Sequence, residues 1–347
     1  MHAPAKILIR ATNWIGDAVL SLPAVRAIRA RFPDAHITIL ARPWVADLYG
    51  SETSVDRIIL YEARSGLHEL GKKARAAWAL RGERFDCAIL LQNAFEAAAL
   101  ARLAGARHIV GYNRDGRGWL LSQAVPVPRR GEIPPHERFY YLELLRRAGL
   151  IDAIPETPEI RLEGAEALAE AGHAAFPALG LTQPVIGLSP GAAYGTAKRW
   201  IPDRFAEAAA ALAREHRAAV CLFGSQAERS LCEEIGKAIG DEVEVRNLAG
   251  RTTLRQFMEM AAACLLFLTN DSGAMHIASA LGVATVTVFG ATNPITTGPT
   301  GPRSRIVQEP VPCSPCLLRE CPIDHRCMTG VPASRVVAAA SELVSLV

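Results

Sequence analysis

Residues 265–294, LLFLTNDSGAMHIASALGVATVTVFGATNP, hold the key to the fold. Leu265–Thr269 is an apolar run short enough to be a buried strand, and the polar turn Asn270-Asp271-Ser272-Gly273 breaks it. Ala274–Leu281 then reads as a short helix closed by Gly282, and Ala284–Phe289, β-branched and apolar, as the next buried strand, ended by Gly290. The result is a β–turn–α–β unit whose turn lacks bulky side chains and ends at a helix N-terminus. Unpaired backbone N–H groups and the positive end of the helix dipole favour an anion there, such as a diphosphate. The alternative is that Asp271 or Ser272 simply caps the helix. The stretch by itself leaves both readings open.

The same alternation extends outward. Upstream, Val185–Leu188, Ala219–Phe223 and Val243–Leu248 read as strands, with helices over 200–216, 227–239 and 253–263, the last capped by Thr253. In the first half, strands at 6–10, 36–41, 57–60, 85–91 and 108–111 alternate with helices. Those helices fall at 17–31, near 44–50 and at 69–81, 96–103 and 139–150. Strands alternating with helices imply parallel sheets covered on both faces, with ligands past the C-terminal ends of the strands. The Pro-punctuated stretch 151–184 separates the two series, placing the boundary near residues 165–183. The expected fold class is therefore α/β. Two Rossmann-like, doubly wound domains, 1–170 and 180–347, would face each other across a cleft.

Composition narrows the class. A chain of 347 residues, half of them hydrophobic, has material for two cores. No apolar run reaches the roughly 20 residues that span a bilayer. The start, MHAPAKILIR, lacks the pattern of a secretion signal, so a cytoplasmic protein is expected. A net charge of +3 is too small to argue for nucleic acid. Of eight cysteines, Cys87, Cys221, Cys232 and Cys264 stand singly, whereas Cys313, Cys316, Cys321 and Cys327 cluster with His325. Their spacing suits zinc or, if oxidised, disulfides. The Pro-rich segment VPCSPCLLRECP lacks paired zinc knuckles, however, and cytosol keeps thiols reduced. No metal is expected in the active site, and occupancy of the cluster stays open at this point.

Three strand ends in the second half offer nucleotide contacts: Gly191–Lys198, Gly250–Thr252 and Asn270–His276. The small residues Gly191 and Ala192 let backbone amides approach phosphate oxygens, and Lys198 adds a point charge, although a loop lysine is often just solvated. Neither a Walker lysine loop nor GxGxxG is present, which argues against a P-loop ATPase and a dehydrogenase. In the first half, Asp17 is the carboxylate of the first strand-end turn. It is either a helix-dipole carboxylate or a general base. Residues 112–138 carry Arg114, Arg117, Arg129, Arg130, Arg138 and His136. With Asp115, Glu132 and Glu137 interspersed, this is either a solvated loop or a basic surface for an anionic substrate.

Taken together, RATNWIGDAVLSLPAVRAIRARFP (10–33), SPGAAYGTAKRW (189–200), TNDSGAMHIASALGVATVTVFGATNP (269–294) and the CSPC…C…HRCM tail resemble the heptosyltransferase II group. These are ADP-heptose-using glycosyltransferases of family 9, with the GT-B fold, and the resemblance runs in order over nearly the whole chain. It implies an N-terminal domain that binds the acceptor, through Asn13, Arg114, Arg117 and His136, with Asp17 as the base. It also implies a C-terminal domain that binds ADP-heptose through Gly191, Ala192, Lys198, Thr252 (the adenine side), Asp271, Ser272, Gly273 and His276. Ile201 departs from the family pattern, which has proline directly after the tryptophan and so bears on the helix register there.

The implied reaction is inverting transfer of L-glycero-D-manno-heptose from ADP-heptose, without a cofactor, to the first heptose of a lipid-anchored lipopolysaccharide inner core. The protein would reach that acceptor peripherally, at the cytoplasmic face of the inner membrane. The competing expectations are another ADP-heptose heptosyltransferase, a sugar-nucleotide epimerase on the same fold, or a non-catalytic sugar-nucleotide-binding protein.

Overall fold

Every strand pairing in this computed structural model, which describes residues 3–63, 66–156 and 159–345, is parallel. The chain divides into two compact units, Met1–Pro158 and Glu159–Val347. Helices of eight residues or longer are numbered here together with the strands.

The first unit contains β1 (Lys6–Arg10), α1 (Ile15–Arg31), β2 (His36–Ala41), β3 (Arg57–Leu60) and α2 (Leu70–Glu83). It continues with β4 (Cys87–Leu90), α3 (Phe95–Leu103), β5 (His108–Tyr112), β6 (Gln123–Val125) and α4 (Arg138–Arg147). Its sheet has the order β3-β2-β1-β4-β5-β6. The second unit contains α5 (Ala165–Ala175), β7 (Val185–Ser189), α6 (Pro202–His216), β8 (Ala219–Leu222), α7 (Arg229–Ile239) and β9 (Val245–Asn247). It ends with α8 (Leu254–Ala262), β10 (Leu266–Asn270), α9 (Gly273–Ala280), β11 (Ala284–Phe289), β12 (Ser304–Gln308) and α10 (Ala333–Val344), in the sheet order β12-β11-β10-β7-β8-β9. No helix among the described residues is long and apolar enough to cross a membrane.

The central strands are apolar on both faces because helices cover both: Ile7, Leu8, Ile9 and the whole of β4 are buried, as are β7, β10 and β11. In each sheet the strand order reverses once, between β1 and β4 and between β7 and β10. Reversal leaves adjacent loops diverging to opposite faces of the sheet, and the crevice that opens there is where such sheets hold ligands.

Four elements depart from the sequence-based expectation. The short strand β6 adds an edge to the first sheet, and β12 extends the second beyond β11, the limit expected from the sequence. Residues 165–175, expected in the boundary region, form α5 within the second unit, packed against α8. The contact is so close that a Cβ at Gly172 would lie 2.0 Å from the Glu259 carbonyl oxygen, so glycine is required although it weakens the helix. Finally, α10 buries Val336, Ala340 and Leu343 against the second sheet and α6. At Ile201 the departure from the family pattern is absorbed locally: Ile201 is the extended N-cap residue, and Pro202 takes the first helical position, where its missing N–H costs nothing.

Candidate active site

The second unit's crevice is built by β10 and the loop after β7. Asn270, fully buried at the end of β10, donates from Nδ2 to the Pro190 carbonyl at 2.6 Å, and its Oδ1 accepts from the Trp200 N–H at 2.9 Å. One side chain thus fixes both ends of the 190–200 loop to the strand beside it. The loop then presents Lys198, whose Nζ donates to Asp271 Oδ2 at 2.6 Å. Asp271 also accepts from the Thr292 hydroxyl, at the end of the β11 loop. The pair is enclosed: the Asp271 and Lys198 side chains are 4 % and 14 % exposed. Tyr194 lies beneath the ammonium, its ring centroid 5.0 Å from Nζ, and its hydroxyl donates to the Leu317 carbonyl.

Directly after Asp271, Ser272 is the extended N-cap residue of α9, and its hydroxyl lies 3.3 Å from Thr269 Oγ1 instead of capping the first turn. The first-turn amides, starting at Gly273, therefore lack a side-chain cap of their own and leave an anion-seeking end beside Lys198. The stretch 270–273 thus presents more than a capped helix. His276 is buried in α9, and Ala192 is buried in the 190–200 loop. Gly191 is hemmed in by Glu228, whose carboxylate oxygen would sit 1.9 Å from a Cβ placed there. Glu228 in turn closes a capping box with Ser225. Gly250, at positive φ, packs as tightly on Gln226, and the half-buried Thr252 follows in the turn before the Thr253-capped α8.

Asp271 is engaged by Lys198 and Thr292. A carboxylate repels a diphosphate, so its position supports a role in holding Lys198 rather than in contacting phosphate directly. Thr292, Tyr194 and Glu228 were not singled out from the sequence, and Asn270 was read only as the start of the 270–276 turn, not as a brace. The signal for Asn270 was a polar residue ending an otherwise apolar run, which only a buried hydrogen-bonding task explains.

In the first unit the crevice opens after β1 and β4. The Asn13 N–H donates to Gln92 Oε1 at 3.1 Å, tying the two strand ends together, and Asn13 Oδ1 accepts from Arg10 at 2.8 Å. Arg10 is buried, its pKa brought down to about 10 by desolvation first and by Arg42 second. Asp17 is half-buried in the first turn of α1, which packs against α4. Its charge reaches the start of α4. The Glu137 carboxyl is pushed above its ordinary range by desolvation and then by Asp17, partly offset by Arg114, and Tyr141 is raised in the same way.

His136 Nδ1 accepts from the Arg138 N–H at 3.4 Å, and exposed Arg114 lies 3.5 Å from the Tyr140 hydroxyl. Arg117 corrects the expectation of a basic surface at that position: it is fully buried. Its guanidinium donates to the Tyr112, Gln92 and Ala94 carbonyls and to Asn93 Oδ1, and burial brings its pKa down to about 10. It braces the loops after β4 and β5, with four of its five N–H donors engaged there. Past β2 and β3 a cavity of about 490 Å³ is lined by Pro43, Trp44, Glu62, His68, Glu69 and Lys72.

The cysteine segment is wedged against the Lys198 loop. Ala197 N–H donates to the Arg319 carbonyl at 2.9 Å, and His325 Nε2 lies 3.0 Å from the Ala197 carbonyl. Gly195 approaches the Arg319 backbone so closely that a Cβ would sit 2.2 Å from its oxygen. Cys313, Cys316, Cys321 and Cys327 line a small cavity of about 70 Å³, and burial raises the Cys327 thiol. Among the described residues, no three His, Cys, Asp or Glu side chains converge closely enough to hold a metal ion.

Four likenesses to known proteins bear on this architecture. The chain is 33 % identical over 312 residues to lipopolysaccharide heptosyltransferase 2 of Salmonella typhimurium, covering 87 % of this chain and 88 % of that protein. It is 32 % identical over 309 residues, with the same coverage, to the Escherichia coli protein of that name. The structure of Escherichia coli ADP-heptose lipopolysaccharide heptosyltransferase II superposes with a TM-score of 0.83 at 29 % identity, over 98 % of this chain and 99 % of that one. That likeness carries the two-domain GT-B architecture onto the two doubly wound units. The model of glycosyltransferase family 9 (heptosyltransferase) matches residues 74–326, and the chain belongs to that family of glycosyltransferases.

Proposed function

We propose that this protein transfers a heptose from ADP-heptose to the first heptose of a lipid-anchored lipopolysaccharide inner core, at the cytoplasmic face of the membrane. The observation that carries the reading is the enclosed Lys198–Asp271 pair beside the uncapped start of α9, at the strand-order reversal of the second sheet. In a family 9 chain with relatives named lipopolysaccharide heptosyltransferase 2, that arrangement suits the diphosphate of ADP-heptose. Lys198 supplies the point charge and the amides at Ser272-Gly273 a directed field. The Gly191-Ala192 backbone and His276 line the same crevice, and Thr252 lies toward the adenine.

The acceptor hydroxyl attacks the anomeric carbon while the bond from that carbon to the phosphate oxygen breaks. ADP leaves with the electron pair, and Asp17 takes the hydroxyl proton. A single displacement of this kind inverts the anomeric configuration. Charge building on ADP is met by Lys198 and the α9 amides, electrostatic help worth several kcal/mol in an enclosed site (about 3 kcal/mol for one such donor). Asn13, Arg114 and His136 supply acceptor contacts on the same unit as Asp17, while Arg117 braces the loops after β4 and β5.

The test is incubation of purified protein with ADP-heptose, with and without inner-core acceptor bearing one heptose. Heptose on the acceptor and free ADP are expected. Isomerised donor without acceptor would replace the reading by an epimerase, and tight donor binding without turnover by a binding protein.

A further inference from the structure

The second unit and the Asp17 crevice leave one large feature of the first unit unused: the outer face of α2, LGKKARAAWALRGE. Its inner side is set by Ala77 and Leu80, which enter the core. At 100° per residue the exposed arc runs through Leu70, Arg81, Ala74, Trp78, Arg75 and Lys72, all exposed. Leu70 and Trp78, 56 % and 78 % exposed, stand two turns apart on this arc with Ala74 between them. The cations flank that apolar strip. The helix's carboxylate, Glu83, lies at the edge of the arc beside the Lys72 row and is paired with Arg57 at 2.8 Å. Glu69, before the helix, is buried and pairs with Lys72 at 3.1 Å.

The face continues beyond the helix. Arg81 lies next to Gly105 at the end of α3, where Leu103 is 60 % exposed and Arg102 is also exposed. At its other end, Lys72 reaches the rim of the 490 Å³ cavity past β2 and β3, beside the exposed Trp44.

A large aromatic and two leucines in water, bordered by Lys72, Arg75, Arg81 and Arg102, with the carboxylates Glu62 and Glu69 at the cavity end, is the surface pattern of a helix that lies in an anionic lipid interface. A second copy of this chain is the weaker match, because cations would meet cations across a symmetric contact. We infer that the outer face of α2, with the end of α3, docks this protein flat on an anionic phospholipid bilayer, with Trp78 and Leu70 entering the headgroup layer. Docked this way, the rim of the β2/β3 cavity faces the surface from which a lipid-anchored substrate rises. The inference rests on the proposed function only for that purpose.

The experiment is co-sedimentation of the full chain with vesicles of phosphatidylglycerol and phosphatidylethanolamine, against vesicles of phosphatidylcholine, all free of lipopolysaccharide. Binding to the anionic vesicles alone, released by high salt, is expected. Arg75→Gln/Arg81→Gln should weaken it on the order of fivefold per arginine, and Leu70→Ser/Trp78→Ser on the order of tenfold or more. All four positions are exposed, so both variants keep the native circular dichroism, and transfer to a delipidated soluble acceptor stays at the parent rate. Equal binding to neutral vesicles, undiminished binding by either variant, or self-association abolished by Trp78→Ser would each overturn the docking surface. Transfer to soluble acceptor without vesicle binding would remove the surface and keep the function. Vesicle binding without any transfer would do the reverse.

Discussion

Replacing Lys198 by Ala separates two tasks that one ammonium performs. In the folded chain it neutralises Asp271 at 2.6 Å, a carboxylate only 4 % exposed. Removing one partner of a buried pair typically costs about 3–5 kcal/mol. The remaining Thr292 hydroxyl holds the loss near the lower end, about 3 kcal/mol. In a unit of this size that lowers Tm by roughly 6–12 °C. In the proposed complex the same ammonium would give a charge-assisted contact to the donor diphosphate, worth about 1.5–3 kcal/mol, or about ten- to a hundredfold in efficiency. Lys198→Ala/Asp271→Asn disentangles the two, because the neutral amide then standing at position 271 leaves no orphaned charge. Melting of Lys198→Ala, Asp271→Asn and the double variant, beside titration with ADP, reads both quantities. The double variant should regain most of the lost stability and none of the donor affinity. Parent-like ADP affinity in Lys198→Ala, or a double variant no more stable than the single, would refute the reasoning.

Asp17→Asn should lower turnover by about 10²–10⁴ with ADP binding intact. Near-normal turnover with a loss of under about 1 kcal/mol in stability would make Asp17 a helix-end carboxylate only. Glu143 is buried between Arg146 and Arg147, and the Arg146 hydrogen bond foremost holds its pKa below the ordinary 4.5. A depressed carboxylate stabilises above its unfolded pKa and loses this as pH falls through the folded one. Glu143→Gln should therefore cost about 2 kcal/mol in urea unfolding at pH 7 and almost nothing below about pH 3; a difference independent of pH would exclude the ion pairs as its source. Chelator treatment should leave transfer unchanged, since the cysteine segment braces the Lys198 loop through its backbone. About one zinc per chain, lost together with activity, would contradict this.

Periodicity reveals strands that are buried on both faces, and so β1, β2, β4, β7, β10 and β11 were legible from their apolar runs. It fails where the partner supplies the burial. β6 is three residues on a sheet edge, and β12 offers only Val307 to the core. α5 is mostly alanine and glutamate, and its place is set by Gly172 meeting the α8 backbone, a contact no single stretch can announce. At the site, residue types in strand-end turns were readable because glycine, lysine and aspartate have few other reasons to gather there. Partnerships were not. That Asp271 faces Lys198, and that Arg117 turns inward to four acceptors, follow from loop conformations fixed across some 70 and 25 residues of sequence. Composition treats an inward arginine and a surface arginine alike.

The helices that close the two units carry a consequence for synthesis on the ribosome. α4 returns to pack on α1, and α10 returns to pack on α6. The apolar face of α6, with Phe205, Ala209 and Leu212, emerges long before residues 333–344 can cover it. At ordinary elongation rates the interval is on the order of ten seconds. Through that interval the nascent second unit is the aggregation-prone part of the chain, while the first unit, complete once α4 has emerged, can already be folded. Yield of intact protein should therefore depend on how quickly codons 217–344 are read and on which chaperones wait at the tunnel exit.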